Sequence, residues 1–420
     1  MVGLATQLRT VHAINAIEDG MSMRKASKAY DVDRSYIRRR LDCIPTKKEA
    51  AEARQALSKA HEELLANWAT TQGNLGYSPP IHRFKAYAEA ISKAAGCNIK
   101  LGKHWHTRYC TRFPSLKALR SRTIDFKRVN GASIANINVF FDRLDDPAIA
   151  TIPPDYIYNA DEFGVFVGLG DNSVVIGNAF RKIIYTKGPR NLEWVTIVQA
   201  INATGKATPP LIIFAGKFIQ EQWFPTHLHE YYRNWHFTNS QKGWINQEIA
   251  VRWLKEVFIP YTKPEDPLQW RLLIIDGHNS HTTTEFMTAC LLNRIYLVFL
   301  PSHASHVLQP CDLGPFSVIK RAYRRILMDV CTKRCQSYPG KLEFLETFAI
   351  AREEALTEKN IKAGFQATGI WPRNRQKPLN SRLVRDAERK DREKAQETII
   401  QREKTPDFYN IFTLAPISTP

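Results

Sequence analysis

Apolar residues fall at helical spacing along the first third of the chain and at strand spacing through its middle. Val11, Ile14 and Ile17 keep the three-residue steps of one helix face before Asp19-Gly20 interrupts them. Ser22 is placed to cap a second helix running through Tyr30, and Asp33 or Ser35 to begin a third that ends near Leu41. Three short helices in this order form a helix-turn-helix pattern. After a break at Ile44-Pro45-Thr46, residues 49–71 are amphipathic, with Leu57, Leu64 and Leu65 on one side, and Pro79-Pro80 precedes another helix over residues 81–95. Trp105, Tyr109 and Phe113 recur every four residues, the spacing of a helix face turned toward a core.

Residues 123–150 form a connector, helical from Ile134 to Leu144, and the pattern changes at Pro153. Residues 156–160, 173–176, 194–201 and 211–215 read as short strands, with Asn202-Ala-Thr-Gly205 as a turn. A helix over 246–257 follows, then a strand over 272–275, a helix begun near Thr282, a strand over 295–300 and a long basic helix over about 315–332. A meander followed by alternating helices and strands predicts an α/β region behind an all-α one.

Charge sharpens this division. The 420 residues carry a formal net charge of +18, of which residues 1–130 hold +13 and the remaining 290 only +5. A basic front on a balanced remainder points to a nucleic-acid-binding module joined to something else. In the third helix Ile37 and Leu41 face inward, leaving Arg34, Ser35, Tyr36, Arg38 and Arg39 as candidate DNA contacts. Arg108, Arg112, Arg120 and Arg122 are the candidates farther along. Seven cysteines show no recurring zinc spacing, which favours a reduced intracellular protein. No run of about 18 apolar residues and no secretory signal are present, so neither a membrane partner nor export is expected.

Asp161, Asp276 and Asp312 each lie just after or near an apolar run. Singly, each could cap a helix or make a turn. Together they point to one rim, because ligands in open α/β sheets collect at the carboxyl ends of strands, and buried carboxylates are costly without a cation. Divalent metal is the economical partner. Glu162 adjoins the first acid, but strand alternation aims it elsewhere, and it is expected to support the site without ligating. His278, His281, His303 and His306 form two His-x-x-His pairs near the second and third acids; a zinc site is their rival reading to hydrogen bonding of carboxylates or phosphates. Lys187 and Arg190 offer either phosphate contacts or exposed loop charge.

Four ordered segments, Tyr158-Asn-Ala-Asp-Glu-Phe-Gly, Asp276-Gly-His-Asn-Ser-His, His303-Ala-Ser-His-Val-Leu-Gln-Pro-Cys-Asp-Leu-Gly and Gly364-Phe-Gln-Ala-Thr-Gly-Ile-Trp-Pro, resemble the pogo-type DDE transposases of the mariner superfamily, relatives of centromere protein B. Cys311 stands where the family more often has an apolar residue, a departure that fits the packing of cysteine as a small hydrophobe. The resemblance implies a tandem helix-turn-helix DNA-binding region (1–45 and 46–124), the connector, a ribonuclease H-like α/β catalytic domain over 151–375 and a charged tail over 376–420. It maps Asp161, Asp276 and Asp312 onto three catalytic acids holding two Mg²⁺ or Mn²⁺ ions. It also implies double-stranded DNA, both element ends and target, as partner, a homodimer or higher assembly on DNA, and the nucleus as location. The Gly364–Pro372 motif has no metal ligand and is expected to dock beside the core. A domesticated, non-catalytic chromatin protein is the alternative; the intact acids favour an enzyme.

Overall fold

The computed structural model describes residues 4–46, 55–120, 133–167, 193–224, 229–277, 279–302, 304–334 and 339–386, with isolated positions at 50, 388, 389 and 396. The expected strand at 173–176, together with Arg122, Lys187, Arg190, His278 and His303, lies outside them. The chain forms two compact units, residues 1–66 with 88–105 and residues 67–87 with 106–420.

In the first unit α1 (Leu4–Glu18), α2 (Met23–Tyr30) and α3 (Arg34–Leu41) enclose a core of Ala13, Ala26, Val32 and Ile37, flanked by Ile14, Ile17, Met23, Tyr30, Tyr36 and Leu41. Asp33 starts α3 by accepting hydrogen bonds from the Ser35 and Tyr36 amides. Ser22 is the N-cap residue of α2, as its position predicts, but its side chain makes no capping bond.

The second unit is built on a six-stranded sheet in the order β4-β3-β2-β1-β5-β6. The strands are β1 (Ile157–Phe166), β2 (Trp194–Asn202), β3 (Leu211–Ala215), β4 (His236–Ser240), β5 (Arg271–Ile275) and β6 (Ile295–Phe299). β1, β2 and β3 form the antiparallel meander, while β5 and β6 run parallel to β1. β5 is buried at every position, and after the buried Arg271 it reads as the apolar run Leu272–Ile275. β1 does not end at Ala160 as expected but continues six residues, carrying Asp161 and Glu162 inside a strand paired with β2.

Helices α4 (Lys59–Asn74), α5 (Ile81–Ala94) and α6 (Trp105–Arg112) follow the first unit's bundle in sequence. Residue Gln72 of α4 treats the free edge of β6 as a missing strand would: its Nε2 donates to the Leu297 carbonyl at 3.2 Å and its Oε1 accepts from the Leu297 amide at 2.9 Å. Tyr77 packs on Phe299, and Arg83 donates to the Thr282 carbonyl at 2.6 Å. Trp68 and Tyr87 meet edge to face, and Tyr109 stacks on Phe113, consistent with a core role for the aromatic stripe. Helix α7 (Ile134–Leu144) is capped by Ser133 and buries Ile137, Phe140, Phe141 and Leu144.

Asn246 caps α8 (Gln247–Trp253), and Thr283 caps α9 (Thr284–Leu292). α10 (Ser317–Arg334), α11 (Lys341–Ala355) and α12 (Glu358–Thr368) complete the layer behind the third acid. The Gly364–Pro372 motif docks there: a Cβ on Gly364 would stand 2.4 Å from the Pro310 carbonyl oxygen, so only glycine lets α12 approach the turn that leads to Asp312. Among the described residues no helix is long and apolar enough to cross a membrane.

Candidate active site

A buried asparagine ties together the three segments that carry the acids. Asn159 of β1 donates to the Ile274 carbonyl of β5 at 2.9 Å and to Gln309 Oε1 at 3.0 Å, while its Oδ1 accepts from the Cys311 amide at 3.0 Å. Asn159, Gln309 and Cys311 are all fully buried, so these bonds are shielded from competing water. Cys311 fills its position as a small apolar side chain. Asp161, Asp276 and Asp312 each lie within two residues of an atom in this network.

Neighbouring residues on a strand leave on opposite faces. Asp161 therefore shares a face with Phe163, which packs on Phe316 and Phe348, and it receives a hydrogen bond from Gln309. Burial pushes the Asp161 carboxyl well above its ordinary pKa, and the charges of Glu162 and Asp312 push it further. Burial likewise raises Asp312, against the pull of the Lys320 ammonium. Two neighbouring carboxyls raised by burial, one of them further by adjacent negative charge, mark a place that a cation would stabilise.

Glu162 emerges on the other face, and there it is not idle. His281, which is 5% exposed, bridges the two nearest acids: its Nδ1 lies 3.0 Å from Asp276 Oδ1 and its Nε2 3.3 Å from Glu162 Oε1. Burial opposes protonation of the ring, yet the hydrogen bonds and charges of Asp276 and Glu162 prevail and push its pKa up to about 10. One donor atom from each of Glu162, Asp276 and His281 falls within 4.8 Å of the others. Strand alternation turns Glu162 away from Asp161, as expected, and toward a face that the turn after β5 supplies with His281. A divalent cation bound there would displace the proton of the ring, after which two carboxylates and one imidazole offer hard oxygen and borderline nitrogen donors.

Of the four expected histidines, His281 alone among the described residues joins this cluster; His306 is exposed on the short turn Ser305–Leu308. Among the described residues no second histidine joins the cluster, and His278 and His303 lie outside them. In the first unit Arg34, Ser35, Arg38 and Arg39 are exposed, while Tyr36 packs partly against the core. Arg108, Arg112 and Arg120 are exposed as well, with the Arg112 guanidinium 5.7 Å from the Tyr109 ring centre.

Comparison with known proteins agrees with this architecture. The DDE superfamily endonuclease family matches residues 191–365, and the helix-turn-helix Psq domain matches residues 11–49. Residues 191–365 are thus a DDE superfamily endonuclease region, preceded in the chain by a helix-turn-helix Psq domain. Similar curated proteins include "MFS-type transporter clz9" of Cochliobolus lunatus, 29% identical over 350 residues, or 83% of this chain and 34% of that protein. Mouse Jerky protein is 25% identical over 187 residues (42% and 30% of the two chains), and the human Pogo transposable element with KRAB domain is 25% identical over 171 residues (40% and 26%). The chain spans about a third or less of the length of these relatives. The Mos1 strand transfer complex covers 88% of this chain and 95% of its own at 8% identity, with a TM-score of 0.39 too low to carry an argument. The DDE family membership and the mixed α/β sheet together give a ribonuclease H-like catalytic domain behind a helix-turn-helix module.

Proposed function

We propose that this protein is a DNA transposase that binds the inverted repeats at its element's ends, cuts there and joins the freed strand to target DNA. The observation that carries the reading is the gathering of Glu162 of β1 with Asp276 and His281 from the turn after β5, with Asp161 close enough to Asp312 to feel its charge. Asp161, Asp276 and Asp312 are the residues proposed to hold two Mg²⁺ or Mn²⁺ ions, and Glu162 joins Asp276 on its face of the strand. When bound, divalent cations supply the positive charge needed by the developing oxyanions of phosphoryl transfer.

The chain's own groups prepare that chemistry. Asn159 and Gln309 hold the acid-bearing segments in register, and His281 fixes the orientation of both neighbouring carboxylates. Water attacks a terminal phosphodiester, the phosphorus to 3′-oxygen bond breaks, and the departing oxygen takes a proton to become a 3′-hydroxyl. That hydroxyl then attacks a phosphodiester of target DNA, at a TA dinucleotide if the family's habit holds, releasing one target strand end as leaving group. No protein side chain becomes bonded to DNA in either step.

Arg34, Ser35, Arg38 and Arg39 on α3 are the proposed sequence readers, and residues 46–124, with Arg108, Arg112, Arg120 and Arg122, are the proposed second DNA-binding half. Two linked readers raise one another's effective concentration and lengthen the recognised site. A homodimer or larger assembly on DNA, in the nucleus, completes the proposal. Incubating the full chain with duplexes bearing the inverted repeats that flank its reading frame, together with Mn²⁺ and a TA-containing plasmid, tests it. Nicks with 3′-hydroxyl ends at the repeat boundary, followed by joined products, are the expected result; intact repeats under conditions where they are bound would reject catalysis.

A further inference from the structure

The same face of β1 that presents Glu162 also carries an aromatic stack that the cleavage chemistry leaves unused. Glu162, Gly164 and Phe166 alternate on that face, and Trp194, the cross-strand partner of Phe166, lays its indole over Gly164. A Cβ on Gly164 would fall 1.8 Å from the Trp194 ring, so only glycine leaves room for it. Phe166 meets Trp194 edge-on at 4.8 Å, and the Trp194 Nε1 is tied to Thr196 Oγ1 at 3.0 Å. Trp244 then stacks on Trp194, with ring centres 5.3 Å apart and planes at 24°.

Trp244 is 58% exposed, so one face of its ring is open to a ligand. Its ring is nonetheless held in place, because Trp194 supports it from beneath and Ser240 Oγ donates to the Trp244 carbonyl at 2.8 Å. Lys217 and Lys242 are exposed at the ends of β3 and β4, at the same end of the sheet, where they can meet phosphates. Gly164 follows Glu162 by two residues, about 7 Å along a strand. A solvent-facing indole, stacked on the Trp194 ring that covers the strand position two residues beyond Glu162, at the end of the sheet where Lys217 and Lys242 are exposed, matches the chemistry of a nucleobase attached to a phosphate chain.

We propose that Trp244, supported by Trp194, is a stacking platform for one unpaired base of the DNA strand beside the scissile phosphate. This inference rests on the DNA-cutting reading above. The platform takes any base, since every base has a π-face, and favours DNA whose end is frayed over DNA that is fully paired.

The test uses the full-length chain in Ca²⁺, with two probes of the same sequence: a blunt duplex, and a duplex whose last three pairs are mismatched and carry 2-aminopurine. Wild type binds the frayed probe more tightly than the blunt one and changes its 2-aminopurine emission by stacking. Trp244→Ala loses about five- to 160-fold on the frayed probe, the range for removing one base–aromatic stack, and binds the blunt duplex as before. Trp244→Phe, which keeps an aromatic face, retains most of the preference and guards against a folding defect in the alanine variant. A frayed-to-blunt ratio and emission change that are the same in Trp244→Ala and wild type overturn the platform. Wild-type binding to blunt duplex without any frayed preference also overturns it while leaving the transposase reading intact, whereas absence of wild-type binding to either probe overturns both.

Discussion

Replacing Gln72 with Leu should loosen the outer edge of the catalytic sheet while barely changing the volume of the buried side chain. Both Gln72 and Leu297 are fully buried, and the glutamine amide satisfies both the N–H and the C=O of Leu297. Leucine can serve neither. Each buried backbone group left without a partner costs about 1–3 kcal/mol; because the added apolar surface offsets part of this, a net loss of about 2–4 kcal/mol is the reasonable range. If that energy appears as easier opening of β6, the Leu297 amide should exchange with solvent about 30- to 700-fold faster, at about 1.4 kcal/mol per tenfold. Hydrogen–deuterium exchange resolved to peptides reads this directly, with α1–α3 as an internal reference that should not change. An unaltered exchange rate over residues 295–299 would show that α4 does not secure the edge strand, and would refute the docking described for residues 67–87.

Ile37→Ala, which empties a fully buried position in the four-residue core of α1–α3, should destabilise that bundle by about 2–5 kcal/mol, and calorimetry should show a lowered first transition with the catalytic domain's unchanged. Ala replacement of both Arg34 and Arg38, which are exposed on α3, should abolish preference for the element's repeats in a competition binding assay while sparing Mn²⁺-dependent nicking of nonspecific DNA. If residues 1–130 neutralise about six phosphates, their log affinity for duplex DNA should fall with log salt at a slope near −5, and a flat titration would remove the electrostatic component. Mn²⁺ at about 100 times its dissociation constant should stabilise the native state by about 2.7 kcal/mol, seen as a raised Tm that chelation reverses.

Much of the fold is legible because burial writes it into composition. β5 beyond Arg271 and β6 are short runs of Leu, Ile, Val and aromatic residues, and Asn246 and Ser133 cap the helices whose starts the sequence predicts. β4, His236-Phe-Thr-Asn-Ser240, escaped because an edge strand with one buried residue in five has no apolar run to show. β1 looked too short because Asp161 and Glu162 interrupt its hydrophobic stretch, although their strand pairing continues. The candidate site was half legible. Acids at strand ends can be recognised from local pattern, but the meeting of Glu162 with His281 depends on how the turn after β5 folds across a sheet face, which no spacing encodes. Asn159 and Gln72 were invisible for the same reason: their partners are 150 and 225 residues away.

Cleavage by Asp276→Asn tests the central claim most directly. Asparagine keeps the size of the side chain but removes the charge that would hold a cation and that His281 now contacts at 3.0 Å. Wild type and variant should be compared on one labelled repeat-end duplex in Mn²⁺, with binding measured on the same preparations. The account predicts equal binding by both proteins and cutting by wild type alone, at least about a hundred-fold above the variant, a difference of about 2.7 kcal/mol in transition-state stabilisation. Undiminished cutting by Asp276→Asn would contradict it.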